Sequence, residues 1–164
     1  DDQYGYRSLL HGLHPTIERF DSLSEEQAYL VTAIESLLID DVAAETVCLV
    51  ARTNRQIEEY QMALESAGLT TLYLQSRTQD NTGSGVRLAT MHRVKGLEFA
   101  HVLIAGVNDG ILPYTHHRGE PLDEEELLQE RCLLHVAATR ARDTLTVTCH
   151  GQPSQFLELL NPEA

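Results

Sequence analysis

Tryptophan is absent from this chain of 164 residues, and aromatic side chains make up only 5% of it. Phe99 and Tyr114 stand nearest the motifs described below, so the sequence offers no clear platform for stacking bases. Three cysteines occur, Cys48, Cys132 and Cys149. They are odd in number, far apart and without a CxxC pair, which excludes a disulfide framework. They are expected to be buried thiols in a reducing compartment, the cytoplasm. No apolar run approaches membrane-spanning length, and the polar start Asp1-Asp2-Gln3-Tyr4 is no signal peptide. No membrane partner is expected. Lysine is represented by Lys95 alone. A Walker A loop needs glycine directly before its lysine, so that backbone N–H groups cradle phosphate. Lys95 follows Val94, and neither of the apolar strands flanking Lys95 ends in an Asp-Glu pair that would hold magnesium. A complete nucleotide-hydrolysing site is therefore excluded.

What is abundant is negative charge. The formal net charge is −13, unfavourable for a nucleic-acid binder taken as a whole. Its distribution is uneven. Residues 1–50 carry 2 basic and 10 acidic groups, and residues 101–164 carry 4 and 10. Residues 51–100, with 6 and 5, are the one part without an acidic excess. That allows a local phosphate contact in an acidic body; a solvated surface that aids solubility explains the remainder.

Hydrophobic periodicity predicts alternating helices and strands. Residues 1–23, interrupted by Gly5, Gly12 and Pro15, read as a connecting segment. Ser24 to Gln27 has the spacing of a capping box, and Leu30, Ala33, Ile34, Leu37 and Leu38 continue a helix to Asp40-Asp41. Val47 to Ala51 is a compact apolar strand. After Arg52-Thr53-Asn54 a helix runs through Ile57, Tyr60, Met62, Leu64 and Ala67 to Gly68. Leu69 to Leu74 reads as a strand and Gln75 to Gly85 as a loop. Val86 to Thr90 and Val102 to Val107 are strands, and Asn108-Asp109-Gly110 is a turn. Pro113 to Pro121 is a loop. Asp123 to Glu126 suits the start of a long helix reaching about Ala141, where the dipole favours acids. Leu145 to Cys149 is a last strand, and Pro153 to Leu160 a short terminal helix. The pattern implies a three-layer α/β domain, residues 24–164, with a mainly parallel sheet.

The stretch from Val86 to Val107 concentrates the chemistry. Its centre, Thr90-x-His92-x-x-Lys95-Gly96-Leu97-Glu98-Phe99, resembles motif V of the UvrD/Rep-like superfamily one helicases. Gln129-Glu130-Arg131-Cys132-Leu133-Leu134-His135-Val136-Ala137-Ala138-Thr139-Arg140-Ala141-Arg142 resembles their motif VI. In the usual form of that motif, glutamate, arginine and tyrosine stand where Gln129, Cys132 and His135 are here. Val47 to Asn54 resembles motif IVa. The resemblance covers roughly residues 45 to 150, and two long motifs in the right order make it specific.

The resemblance implies a RecA-like, P-loop NTPase-type fold: the C-terminal motor domain of an ATP-dependent 3′→5′ DNA helicase, without an inserted accessory domain. ATP and Mg2+ would be held mainly by a separate first RecA-like domain. That domain and single-stranded DNA are the implied partners, and this chain alone would be inactive. Arg140 would be the arginine that reaches the γ-phosphate; read from the helix alone, it is a cation at a helix C-terminus. Glu98 would face the ribose, against a surface charge paired with Arg93 or Lys95. Gly96 would allow a tight turn beside the nucleotide. Thr90, His92 and Lys95 would link the nucleotide cleft to the strand. Arg52 is a candidate phosphate contact and Asn54 a candidate helix cap. His116-His117 lacks further metal ligands, so no metal site is expected. The alternative is a degenerate helicase-like module that binds a protein or single-stranded nucleic acid without hydrolysis.

Overall fold

Val47–Ala51 (β2) is buried along its whole length, and its side chains divide between two cores. Val47, Leu49 and Ala51 join one apolar cluster, while Cys48 and Val50 join the other. Burial on both faces is what a central strand of a parallel sheet requires. The computed structural model describes residues 14–76, 82–115 and 120–160. Around β2 lie β1 (Thr16–Phe20), β3 (Thr71–Tyr73), β4 (Val86–Thr90), β5 (Phe99–Ile104) and β6 (Ala141–His150). They form one six-stranded sheet of order β1-β6-β5-β2-β4-β3, and every ladder in it is parallel.

Helices α1 (Leu23–Ile39) and α2 (Asn54–Ser66) cover one face, burying Leu30, Ile34, Ile57, Tyr60 and Leu64 against Leu49, Leu88 and Leu103. The other face is covered by α3 (Glu124–Ala138) and the 3-10 turn Gln155–Leu160. Leu134, Ala137, Phe156 and Leu157 pack there on Val50, Val102 and Ile104. This is the expected three-layer α/β arrangement. Among the described residues no helix is long and apolar enough to cross a membrane.

Several local expectations are corrected. Residues 16–20 are no connector: they pair along the edge of the sheet, with Thr16 opposite Thr146 and Phe20 opposite His150. An edge strand with one ladder partner stays half exposed, so it needs no apolar run. Helix α1 is capped by Ser22, whose hydroxyl accepts the Glu25 N–H at 3.2 Å, rather than by Ser24. Thr53, not Asn54, caps α2, in a complete capping box with Gln56. Helix α3 stops at Ala138, and β6 begins at Ala141, so Thr139-Arg140 is the turn between them. Cys132 is exposed on α3, whereas Cys48 and Cys149 are buried as expected.

Candidate functional site

The segment from Met91 to Glu98 joins β4 to β5, which flank β2 on opposite sides. Because both strands are parallel to β2, the segment must run from the carboxyl edge of the sheet to its amino edge. It crosses the face of β2, with Met91 and Val94 buried in the same cluster as Cys48 and Val50. This crossover is shorter than the dozen or more residues such connections usually need. It manages this by coiling. The Thr90 carbonyl accepts the Arg93 and Val94 N–H groups at 3.0 and 3.2 Å, and the Val94 carbonyl accepts the Leu97 N–H at 2.9 Å. Gly96, at φ +84, reverses the chain; nothing lies within 4 Å of where a Cβ would sit, so conformation rather than space requires glycine.

The crossover is pinned at both ends. At the carboxyl edge the Met91 N–H donates to the Ala51 carbonyl at 3.0 Å, and Thr90 Oγ1 accepts the Arg93 N–H at 3.3 Å. At the amino edge the Phe99 N–H donates to the Arg140 carbonyl at 3.0 Å. The expected residues thus fall into two groups. Thr90 and exposed His92 stand at the carboxyl edge, beside the end of β2. Gly96 and Glu98 stand toward the amino edge with Arg140, and exposed Lys95 lies between.

Arg140 sits half-buried between α3 and the crossover. Its Nε donates to the Val136 carbonyl at 3.1 Å, Nη1 to the Leu97 carbonyl at 3.3 Å and Nη2 to Thr139 Oγ1 at 3.1 Å. All three acceptors are neutral. Glu98 does not pair with Arg93 or Lys95: its carboxylate lies 3.6 Å from Arg142 Nε, with both side chains more than half exposed. An ion pair so exposed contributes little to stability. His135, in the position of the family tyrosine, has its pKa lowered by burial. It stays neutral at neutral pH, as a tyrosine would.

Arg52 is placed elsewhere than expected. The residue is 8% exposed, and its guanidinium grips Glu130 with Nε and Nη2 at 3.0 and 2.9 Å. Glu130 Oε1 also accepts the Tyr114 N–H at 2.6 Å, and the Arg52 guanidinium lies 5.0 Å from the Tyr114 ring centre. A fork so occupied does not reach a phosphate.

A second buried polar cluster was not legible in the sequence. Glu26, fully buried, looks in the sequence like one more acid at a helix start. Its Oε2 accepts the Gly106 N–H at 3.0 Å and the Thr148 hydroxyl at 2.7 Å, and its Oε1 accepts Tyr60 Oη and meets His150 Nδ1 at 2.8 Å. Burial first, and the adjacent Glu26 charge second, push the Tyr60 hydroxyl far above its ordinary range, so it keeps its proton and donates. This cluster fastens α1 and α2 to the ends of β5 and β6. Among the described residues no group of three or more His, Cys, Asp or Glu is arranged to hold a metal ion. His116 and His117 lie outside the described residues.

Comparison with known proteins bears on the family and the fold. A family model described as the UvrD-like helicase C-terminal domain matches residues 69–152. The chain is similar to the ATP-dependent DNA helicase Rep of Escherichia coli (strain K12), being 40% identical over 78 residues, 48% of this chain and 11% of that protein. It is similar to the ATP-dependent DNA helicase UvrD1 of Mycobacterium leprae (strain TN), being 41% identical over 91 residues, 52% of this chain and 11% of that protein. In both cases the match spans a small part of a much longer relative. Among solved structures, the C-terminal domain of a possible DNA helicase from Lactobacillus plantarum WCFS1 superposes with a TM-score of 0.73 at 19% identity. That match covers 99% of this chain and 92% of the other, and it shows a shared fold.

Proposed function

Because this chain belongs to the UvrD-like helicase C-terminal domain family, we propose that it is the second, RecA-like motor domain of an ATP-dependent DNA helicase or translocase. One observation carries the reading. The crossover from Met91 to Glu98 joins the two edges of the sheet, and its far end is bonded to Arg140 through both backbone and side chain. On this reading one element touches both the edge assigned to the strand and the edge assigned to the nucleotide.

The amino edge fits a nucleotide held by another domain. Arg140 keeps its full positive charge against neutral oxygens only. Exchanging those for phosphate oxygens adds ion–ion attraction and bidentate geometry to bonds that are so far charged on the donor side alone. A rigid guanidinium fork matches the charge that builds on a transferring phosphoryl group. Glu98, exposed and loosely held by Arg142, is available to accept ribose hydroxyl hydrogens, and Gly96 lets the backbone turn beside it. ATP with Mg2+ would supply the phosphoryl transfer itself, and both would be held mainly by a separate Walker-bearing domain, the principal partner proposed for this chain. At the other edge Thr90 and His92, with Lys95 on the crossover, face single-stranded DNA. Closing and opening of the interdomain cleft would move one edge against the other and step the protein along the strand.

The test is steady-state ATP hydrolysis by the full-length protein that carries this chain, with and without a single-stranded oligonucleotide. Hydrolysis that rises with DNA supports the motor reading. No hydrolysis in either condition would leave the non-enzymatic binding module.

A further inference from the structure

We infer that the buried Arg52–Glu130 pair is a positioning strut that makes turnover at Arg140 responsive to the carboxyl edge of the sheet. The inference rests on the motor reading above and assigns a role to residues outside its contact sites. Arg52 follows β2 directly, in a turn held on several sides. Its own N–H donates to Gln56 Oε1 at 3.1 Å, while Gln56 Nε2 reaches the Gly106 carbonyl at 3.0 Å. The preceding Ala51 carbonyl receives the first N–H of the crossover. From this turn the Arg52 side chain spans to Glu130 in α3, with the two side chains 9% and 10% exposed. Eight residues further along, at about 1.5 Å of rise per residue, α3 ends at Ala138, and Arg140 lies in the turn that follows. A displacement of the Arg52 turn is thus passed to the helix whose far end sets the guanidinium.

The choice of residues supports positioning over simple fastening. A buried ion pair is weak evidence for stability, because well-packed apolar residues in the same place often hold a fold as well or better. What the fork-on-fork geometry supplies is a fixed register between two elements. Glu130 is filled by three donors, two from Arg52 and one from Tyr114, so it defines the relative placement of the turn, α3 and the Tyr114 loop.

The experiment uses the full-length protein and reads the ratio of ATP turnover with and without saturating oligodeoxythymidine, alongside KM for ATP, oligonucleotide affinity and melting temperature. Two variants are made, Glu130→Gln and the apolar double change Arg52→Met with Glu130→Leu, and Leu134→Ala serves as a control that loosens α3 packing alone. Both strut variants should lower the stimulation ratio by roughly 5- to 30-fold. KM, oligonucleotide affinity and unstimulated turnover should stay near wild type, and the double variant should keep its melting temperature. An unchanged ratio in a folded strut variant overturns the inference, as does an equal fall in Leu134→Ala. A wild-type protein whose turnover ignores DNA overturns the motor reading itself, which separates the two failures.

Discussion

Replacing Glu26 with alanine removes the acceptor for four donors at once: the Tyr60 and Thr148 hydroxyls, the Gly106 N–H and the His150 imidazole. Tyr60 and Thr148 are 1% and 0% exposed, so neither turns to bulk water. Hydrogen bonds to an ionised group contribute roughly 1.5–3 kcal/mol each, and they are not additive within one network. A water entering the vacated space would recover part of the loss. The expected destabilisation is therefore about 3–5 kcal/mol, against a total stability on the order of 5–15 kcal/mol for such domains. The melting temperature should fall by about 6–20 °C. Urea titration followed by circular dichroism measures the change directly, with two comparisons. Glu26→Gln keeps the shape and one acceptor, and should cost about 1–3 kcal/mol. Glu25→Ala, one residue away but exposed and accepting the Asp21 N–H at 3.2 Å, should cost under about 0.5 kcal/mol. A Glu26→Ala midpoint indistinguishable from that of Glu25→Ala would refute the view that this carboxylate fastens the helices to the sheet.

Other outcomes follow from the same geometry. Gly106→Ala should destabilise by about 1–3 kcal/mol in urea titration, because φ is +68 and a Cβ would lie 2.3 Å from Gln56 Nε2 and 2.9 Å from Tyr60 Oη. The isolated chain should show no ATP hydrolysis with or without single-stranded DNA, since its sequence contains no Walker A loop; turnover by rigorously purified protein would contradict the half-site reading. The isolated chain should bind single strands weakly, with log affinity falling by about 0.7 per phosphate contact for each unit of log salt. Fluorescence anisotropy across a salt series reads this, and tight binding at high salt would point to base stacking instead.

The sequence made the layered α/β plan legible because two-sided burial leaves unbroken apolar runs, as in Val47 to Ala51, and amphipathic helices leave their period. Edge strand β1 left no such mark: Thr16, Glu18 and Arg19 alternate with Ile17 and Phe20 on a half-solvated ribbon. Cap positions were ambiguous for a simple reason. Ser22-x-x-Glu25 and Ser24-x-x-Gln27 satisfy the same spacing, and tertiary packing chooses between them; at α2 Thr53-x-x-Gln56 completes the box, whereas Asn54 is followed three residues on by Ile57. The early part of β6 was not legible because Arg142, Asp143 and Thr144 are exposed, although the backbone there is paired. The candidate residues of motifs V and VI were legible as sequence motifs, but their division between two edges depends on strand order. Arg52 finds Glu130, and Glu26 finds Thr148 and His150, across separations that no local pattern encodes.

The most direct test of the motor assignment is Arg140→Ala in the full-length protein, with ATP turnover, single-strand affinity and melting temperature measured on the same preparation. As the guanidinium that stabilises the transferring phosphoryl group, Arg140 should contribute about 10³–10⁵ in rate, and Arg140→Lys should restore little, because a point charge does not reproduce the fork. Its three hydrogen bonds to neutral oxygens should cost only about 1–2 kcal/mol of stability when lost. The account predicts turnover reduced by at least about a thousandfold with strand affinity nearly unchanged. Near-normal turnover with a lowered melting temperature would make Arg140 a fastener of the helix end and contradict it.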